Sequence, residues 1–245
     1  MVGFALNVEN PEAMGADAAA YTDRCEPTAL DDQNIACVVR DGSGSELWLG
    51  LKKTPAGEAE LTTLNPAFAG DARVALVIDG DVSPAEWKPF EMRVQAHFAG
   101  DEIPLILDLA DPREATRFAP GATVNADITA FADEIGLFET EAAYFASQKD
   151  HKINLAANHF IPAGMFSADG AAKVPTAHAL FAGKILKSAL RRNDKGRASY
   201  WWFLVETLDG VGLNVVADPA QVKTAPQAGS ILAGSFWMSA RLAKP

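Results

Sequence analysis

Short apolar, β-branched runs broken by glycine-, proline- and aspartate-rich turns recur along this chain. Ile35–Arg40, the turn Asp41-Gly-Ser-Gly-Ser and Glu46–Lys52 together predict a hairpin. After a second turn at Thr54-Pro-Ala-Gly, Glu58–Leu64 puts Ala59, Leu61 and Thr63 on one face. Arg73–Ile78 reads as a buried strand ended by Asp79-Gly-Asp. Phe90–Phe98 alternates, with Phe90, Met92, Val94 and Ala96 on one side and Glu91, Arg93, Gln95 and His97 on the other. Ile103–Leu109 and Val124–Phe131 complete a series whose short spacing predicts a sheet-rich unit rather than alternating βαβ units.

Helical signals are few. Glu139–Gln148 has acidic residues in its first turn, where they suit the positive end of a helix dipole. Asn10 and Pro11 have the character of an N-cap and first helical position for a segment reaching Tyr21. Phe68-Ala-Gly-Asp and Phe98-Ala-Gly-Asp echo each other, but two four-residue matches are not a repeat architecture.

The last seventy residues carry the clearest strand order. Ala179–Leu190, the charged turn Arg191–Arg197 and the strongly β-prone Ala198–Leu208 lead through Asp209-Gly210 to Val211–Ala217. A proline-containing connector, Asp218–Gly229, precedes a returning strand at Ser230–Ala243. This meander with a returning strand resembles the oligonucleotide/oligosaccharide-binding (OB) fold, a small Greek-key barrel of five strands. Four of the five are legible over 174–245, and the resemblance implies that Gly183, Gly212 and Gly234 serve the bends. Tyr200–Thr207 and Gly234–Ser239 also resemble stretches of bacterial proteins with no assigned activity.

Composition changes this picture mainly through charge. With 49% apolar and 22% charged residues, the chain has enough apolar surface to fold. Its net charge of -11 is unevenly spread: residues 1–150 hold 10 basic and 27 acidic groups, and residues 151–245 hold 11 and 5. The expected organisation is therefore an acidic sheet-rich unit at 1–150, a connector at 151–173 and an OB-like barrel at 174–245, a mostly-β (α+β) class overall. Apolar stretches are too short for a membrane helix. The first ten residues lack the basic and apolar regions of a signal peptide, so a cytoplasmic location is expected. Cys25 and Cys37 are too few for a disulfide framework and read as reduced thiols.

One cluster suggests binding. Lys184, Lys187, Arg191, Arg192, Lys195 and Arg197 run into Tyr200, Trp201 and Trp202, with Trp237 on the returning strand. Cations track phosphates and flat rings stack bases, as OB folds do with single strands. The same residues also suit a barrel core, a solvated hairpin or pairing with the acidic half. The carboxylates Asp79/Asp81, Asp101/Glu102, Asp108/Asp111 and Asp133/Glu134 fit turns at strand ends. The four histidines show no zinc-site spacing, and His178 to Ile185 is not a phosphate-binding loop. No catalytic residue, metal site or cofactor is therefore expected. The favoured expectation is a non-enzymatic binding or adaptor protein for a protein partner. Single-stranded nucleic acid is the first alternative, and an enzyme using carboxylates of the N-terminal unit is the second.

Overall fold

Period-two alternation produces most of the elements. In a computed structural model, residues 3–4, 16–18, 20–70, 72–87, 89–111, 113–114, 118–150, 152–166 and 174–243 are described. The predicted first hairpin forms from β2 (Asn34–Arg40) and β3 (Ser45–Lys53), with Arg40 opposite Glu46. β1 (Glu26–Ala29) and β4 (Ala59–Phe68) flank them in an antiparallel four-stranded sheet. The helix expected from Asn10 and Pro11 lies largely outside the described residues. The helix at the end of the acidic half is α1 (Glu141–Ser147), capped by the Thr140 side chain, which accepts from the Ala143 N–H.

The second sheet has nine strands: β5 (Val74–Asp81), β6 (Arg93–Phe98), β7 (Pro104–Leu109), β8 (Thr123–Phe138), β9 (Phe160–Ile161), β10 (His178–Arg192), β11 (Ser199–Glu206), β12 (Gly212–Ala217) and β13 (Ile231–Ala243). β8 and β13 form a long antiparallel ribbon, from Ile231 opposite Phe138 to Ala243 opposite Asn125. Two closed circuits of hydrogen bonding share this ribbon. One runs β5–β6–β7–β13–β8 and back to β5. The other runs β10–β11–β12–β8–β13 and back to β10.

The circuits correspond strand for strand. Each has a three-strand antiparallel meander whose third strand lies parallel to one ribbon strand, while the other ribbon strand closes antiparallel onto the first. β8 and β13 exchange roles between them. The first circuit uses β8 at Thr123–Ala126 and β13 at Ser239–Ala240, and the second uses β8 at Thr129–Phe131 and β13 at Ile231–Trp237. The chain therefore repeats a five-strand pattern that the Phe-Ala-Gly-Asp echo does not mark, because those tetrapeptides precede non-equivalent strands β5 and β7. Strands from both sides of the expected 151–173 connector share one sheet, and β12 and β13 both pair with β8, far upstream.

One apolar core fills both circuits, from Leu76, Val94 and Leu107 to Phe203, Val215 and Phe236. On β8, Val124, Ala126, Ile128 and Ala130 alternate into it. Glycine is required where the ribbon is tightest: a Cβ on Gly234 would collide with the Glu134 carbonyl of the facing strand. Gly183 is likewise pressed against the Glu206 backbone, whereas a Cβ on Gly212 would make only ordinary contact with the Leu204 side chain, so Gly212 is not constrained in this way.

The four-stranded sheet packs on this body with both faces. One face sets Val39, Leu47, Leu49 and Phe68 against Tyr200, Trp202 and Val216. The other places Val38, Trp48 and Ala67 on Ala110, just after β7. The expectation of two reduced thiols is corrected here. Cys25 and Cys37 form a disulfide across β1 and β2, with Cα atoms 5.5 Å apart, because Cys37 sits next to the strand that Cys25 opens. Among the described residues no helix is long and apolar enough to cross a membrane.

Candidate recognition cleft

The predicted basic and aromatic cluster is divided by the sheet that packs on it. On β11, Tyr200 and Trp202 point at the four-stranded sheet and Phe203 points into the core; all three are buried. Trp201, on the Phe203 side, is half-buried and stacks on Phe203 at 5.9 Å. Arg191 is used internally: its guanidinium lies 4.1 Å from the Trp202 ring centroid and 5.3 Å from that of Phe68, and it donates to the Ser43 carbonyl at 2.8 Å. The Tyr200 hydroxyl donates to the same carbonyl at 2.9 Å. Lys184, Lys187, Arg192 and Arg197 are exposed, and Lys195 is half-buried. They form no shared surface with Trp202.

The charged turn after β10 instead docks on the Asp41–Ser45 turn. The backbone N–H groups of Asp194 and Lys195 donate to Asp41, and Asn193 donates to Ser45 Oγ at 2.7 Å. Burial works against the Asp41 carboxylate, yet hydrogen bonds from Ser43, Lys195 and Asp194 hold it below the usual range. A second stitch joins Gly70 N–H and Asn214 Nδ2, each 2.8 Å from Asp127, with Trp202 Nε1 donating to Asn214 at 3.1 Å.

Burial pushes the Asp127 carboxyl from 3.8 up to about 6, against the hydrogen bond from Gly70 and the nearby Arg241 and Arg73. The folded state therefore holds this proton more tightly than the unfolded chain. The stabilisation is complete below pH 4 and is lost as pH rises through about 6. A tenfold difference in proton affinity is worth about 1.4 kcal/mol, and solvent at this partly exposed site screens some of it. Wild type should therefore lose roughly 2 kcal/mol more than Asp127→Asn between pH 4 and pH 7.5. Urea denaturation at both pH values checks this, and equal losses in the two proteins would refute it.

Where the stitches end, the two sheets part into a cleft. Its larger arm, about 440 Å³, lies between Leu64, Asn65 and Pro66 of β4 and Phe131, Val216 and Trp237 of the nine-stranded sheet. A smaller arm, about 220 Å³, shares Asn65, Pro66 and Trp237 and adds Trp87, Glu91 and Asp108. Trp237 divides the arms. Its ring stacks on Phe131 at 5.0 Å, and its indole N–H donates to Asp108 at 2.7 Å. Asp108 also takes both forks of Arg93, at 2.6 and 3.0 Å, and that guanidinium lies 4.4 Å from the Trp87 ring centroid. Arg93 further donates to the Pro175 carbonyl at 2.8 Å. Glu91 accepts from Asn65 Nδ2 at 3.3 Å. Burial raises the Glu91 carboxyl above the usual range, and the charge of Asp108 adds to this.

Of the sequence-predicted residues, Trp237 and Tyr200 border this cleft and the remaining eight do not. Sequence reasoning missed Trp87, Phe131 and Asn65. The alternation over Phe90–Phe98, which turns Glu91 and Arg93 outward together, was the signal that could have pointed here. The other carboxylates serve local structure: Asp79 meets His97 at 2.8 Å, Asp101 accepts from the Ile103 N–H, and Asp111 binds Arg113. Among the described residues no three His, Cys, Asp or Glu side chains converge as a metal site would. No protein-family model matches the chain, and no curated protein matches it in sequence.

Proposed function

We propose that this chain is a non-enzymatic binding protein for a polypeptide partner, with the cleft around Trp237 as its recognition site. The supporting observation is the cleft itself: an aromatic-lined trough between two sheets, fixed by hydrogen bonds at its walls and edged by β4. Among the described residues β4 is an edge strand, paired only with β3, and offers the kind of border to which an extended segment adds. Tryptophan at the centre of a partly enclosed trough is the usual anchor of a polypeptide interface.

We further read both five-strand circuits as OB-like barrels, on the strength of the meander, the returning strand and the closure through β8 and β13. In the second circuit, the face through which such barrels take single strands is formed by β11 and β12. Tyr200, Trp202 and Val216 on that face are covered by the four-stranded sheet, which favours a polypeptide over an oligonucleotide. The Cys25–Cys37 disulfide weighs against a cytoplasmic location, where thiols are kept reduced.

The test is an array of immobilised short peptides probed with wild type and with Trp237→Ala, alongside a fluorescence titration with oligo-dT at low and moderate salt. Wild type should retain a subset of peptides that Trp237→Ala loses, and oligo-dT should leave the fluorescence unchanged. Quenching by oligo-dT that weakens steeply with salt would replace this reading with the nucleic-acid one. Peptide binding indifferent to Trp237→Ala would remove the cleft from it.

A further inference from the structure

Resting on the polypeptide reading above, we propose that the smaller arm of the cleft takes the cationic end of a lysine or arginine side chain of the partner, with Glu91 as its counter-charge. The two carboxylates of this arm are occupied very differently. Asp108 is saturated: both forks of Arg93 and the indole N–H of Trp237 converge on it. Glu91 is not. It accepts one long hydrogen bond, from the Asn65 amide at 3.3 Å, and among the described residues no cationic nitrogen lies within ion-pair distance of it. An ionised carboxylate has about four acceptor positions, so most of the capacity of Glu91 faces the chamber unused.

A half-buried carboxylate without an ion-pair partner carries a desolvation cost, which the Asn65 hydrogen bond and the charge of Arg93 offset only in part. Its raised proton affinity expresses the same cost. A positively charged group supplies the missing compensation. A neutral polar group would satisfy hydrogen bonds but not the charge, and an anion would be repelled by Glu91, since Asp108 is already paired with Arg93.

The walls suit such a guest. Trp87, Trp237, Met92 and Leu109 line the chamber, so the aliphatic stem of a lysine or arginine has apolar contact and its head meets aromatic rings. Arg93 beside Trp87 already displays this chemistry, with its guanidinium 4.4 Å from the ring centroid and its charge on a carboxylate. At about 220 Å³ the arm accommodates one side chain rather than a folded element. The surplus of 27 acidic over 10 basic groups in residues 1–150, to which Glu91, Trp87 and Asp108 belong, steers a cation toward this part of the molecule.

The experiment titrates the intact protein with acetyl-Ala-Lys-Ala-Lys-Ala-amide and with its all-alanine and glutamate counterparts at low salt, following tryptophan fluorescence. The lysine peptide should give a saturable change, the alanine peptide a weaker one and the glutamate peptide none. Glu91→Gln keeps the hydrogen bond to Asn65 but not the charge, and should weaken the lysine peptide about tenfold. The exposed control Glu102→Gln should leave its affinity unchanged. Glu91→Asp, which keeps the charge, should recover part of the binding, and thermal melts verify that each variant is folded. Equal lysine-peptide affinity in Glu91→Gln and Glu102→Gln overturns the inference. Equal binding of the alanine and lysine peptides, lost together in Trp237→Ala, overturns the cation and leaves the polypeptide reading standing. Binding of none of the three peptides overturns the cation, and an empty peptide array would then remove the polypeptide reading too.

Discussion

Phe236→Ala should destabilise the fold by about 4 kcal/mol, a large share of the roughly 5–15 kcal/mol that holds a protein together. Phe236 is fully buried and lies in a continuous file of rings. Its centroid is 3.9 Å from Phe181, which is 6.0 Å from Phe160, which meets Phe98 edge-on at 5.6 Å. Phe98 belongs to the first circuit and Phe236 to the shared ribbon, so the file crosses between the halves of the repeat. Truncation removes the ring contacts and leaves a cavity that the surrounding hydrogen-bonded strands resist closing. Chemical denaturation gives the free energy, and the melting temperature should fall by roughly 10 °C. Phe236→Leu should cost less than half as much. A loss below about 1 kcal/mol in the alanine variant would mean that the two circuits do not share one core.

The local signals that predicted the hairpin at Asp41–Ser45 and the strand at Arg93–Phe98 lie within a few residues of one another, so turn chemistry and alternation were sufficient. The β8–β13 pairing joins segments about a hundred residues apart, and its register is set by packing. Nothing local in Thr123–Phe138 says that it pairs with the C-terminal strands β12 and β13, which is why its place in the second circuit went unread. β1 was missed because it is short, carries Pro27 and is mostly exposed, so it has no alternation to detect.

The same limit applies to the candidate site. Tyr200-Trp-Trp-Phe announces a two-sided strand, but which side meets water depends on where the four-stranded sheet docks. Arg191 and Trp202 looked like an open binding pair and are instead stacked on each other inside that contact. The turn after β10 seats on Asp41 through backbone N–H groups and not through its cationic side chains, so the charge pattern of the sequence did not mark this contact. Beyond the alternation that sets Glu91 and Arg93 on one side, the cleft was not legible in the sequence, because Asn65, Glu91, Asp108 and Trp237 come from four separate strands or loops.

That docking sets the second large effect. Glu46→Ala should cost about 3–4 kcal/mol, because Glu46 is buried with three donors converging on it. Oε1 accepts from Arg40 Nε at 3.2 Å and Arg241 at 3.1 Å, and Oε2 accepts from Trp48 Nε1 at 3.1 Å. Arg241 stands at the end of β13 and Glu46 on β3, so this carboxylate ties the four-stranded sheet to the ribbon. Alanine removes that tie and leaves the indole N–H of Trp48 buried without its acceptor, while both guanidiniums lose a counter-charge. Glu46→Gln keeps an acceptor for Trp48 and should cost about half as much. Replacing both partners, Glu46→Leu with Arg241→Met, should recover only the part of the loss due to a stranded Arg241, because Trp48 Nε1 and Arg40 still lack their acceptor. A double-mutant cycle on Glu46 and Arg241 should give a coupling of at least about 1 kcal/mol. The same variants report on the cleft, whose β4 wall pairs directly with the strand carrying Glu46, Ala67 of β4 facing it across the ladder. Glu46→Ala should therefore weaken peptide binding at conditions where the protein is still folded, although Glu46 does not line the trough. Additive energies in the cycle, or peptide affinity unchanged in folded Glu46→Ala, would show that the wall is held by other contacts.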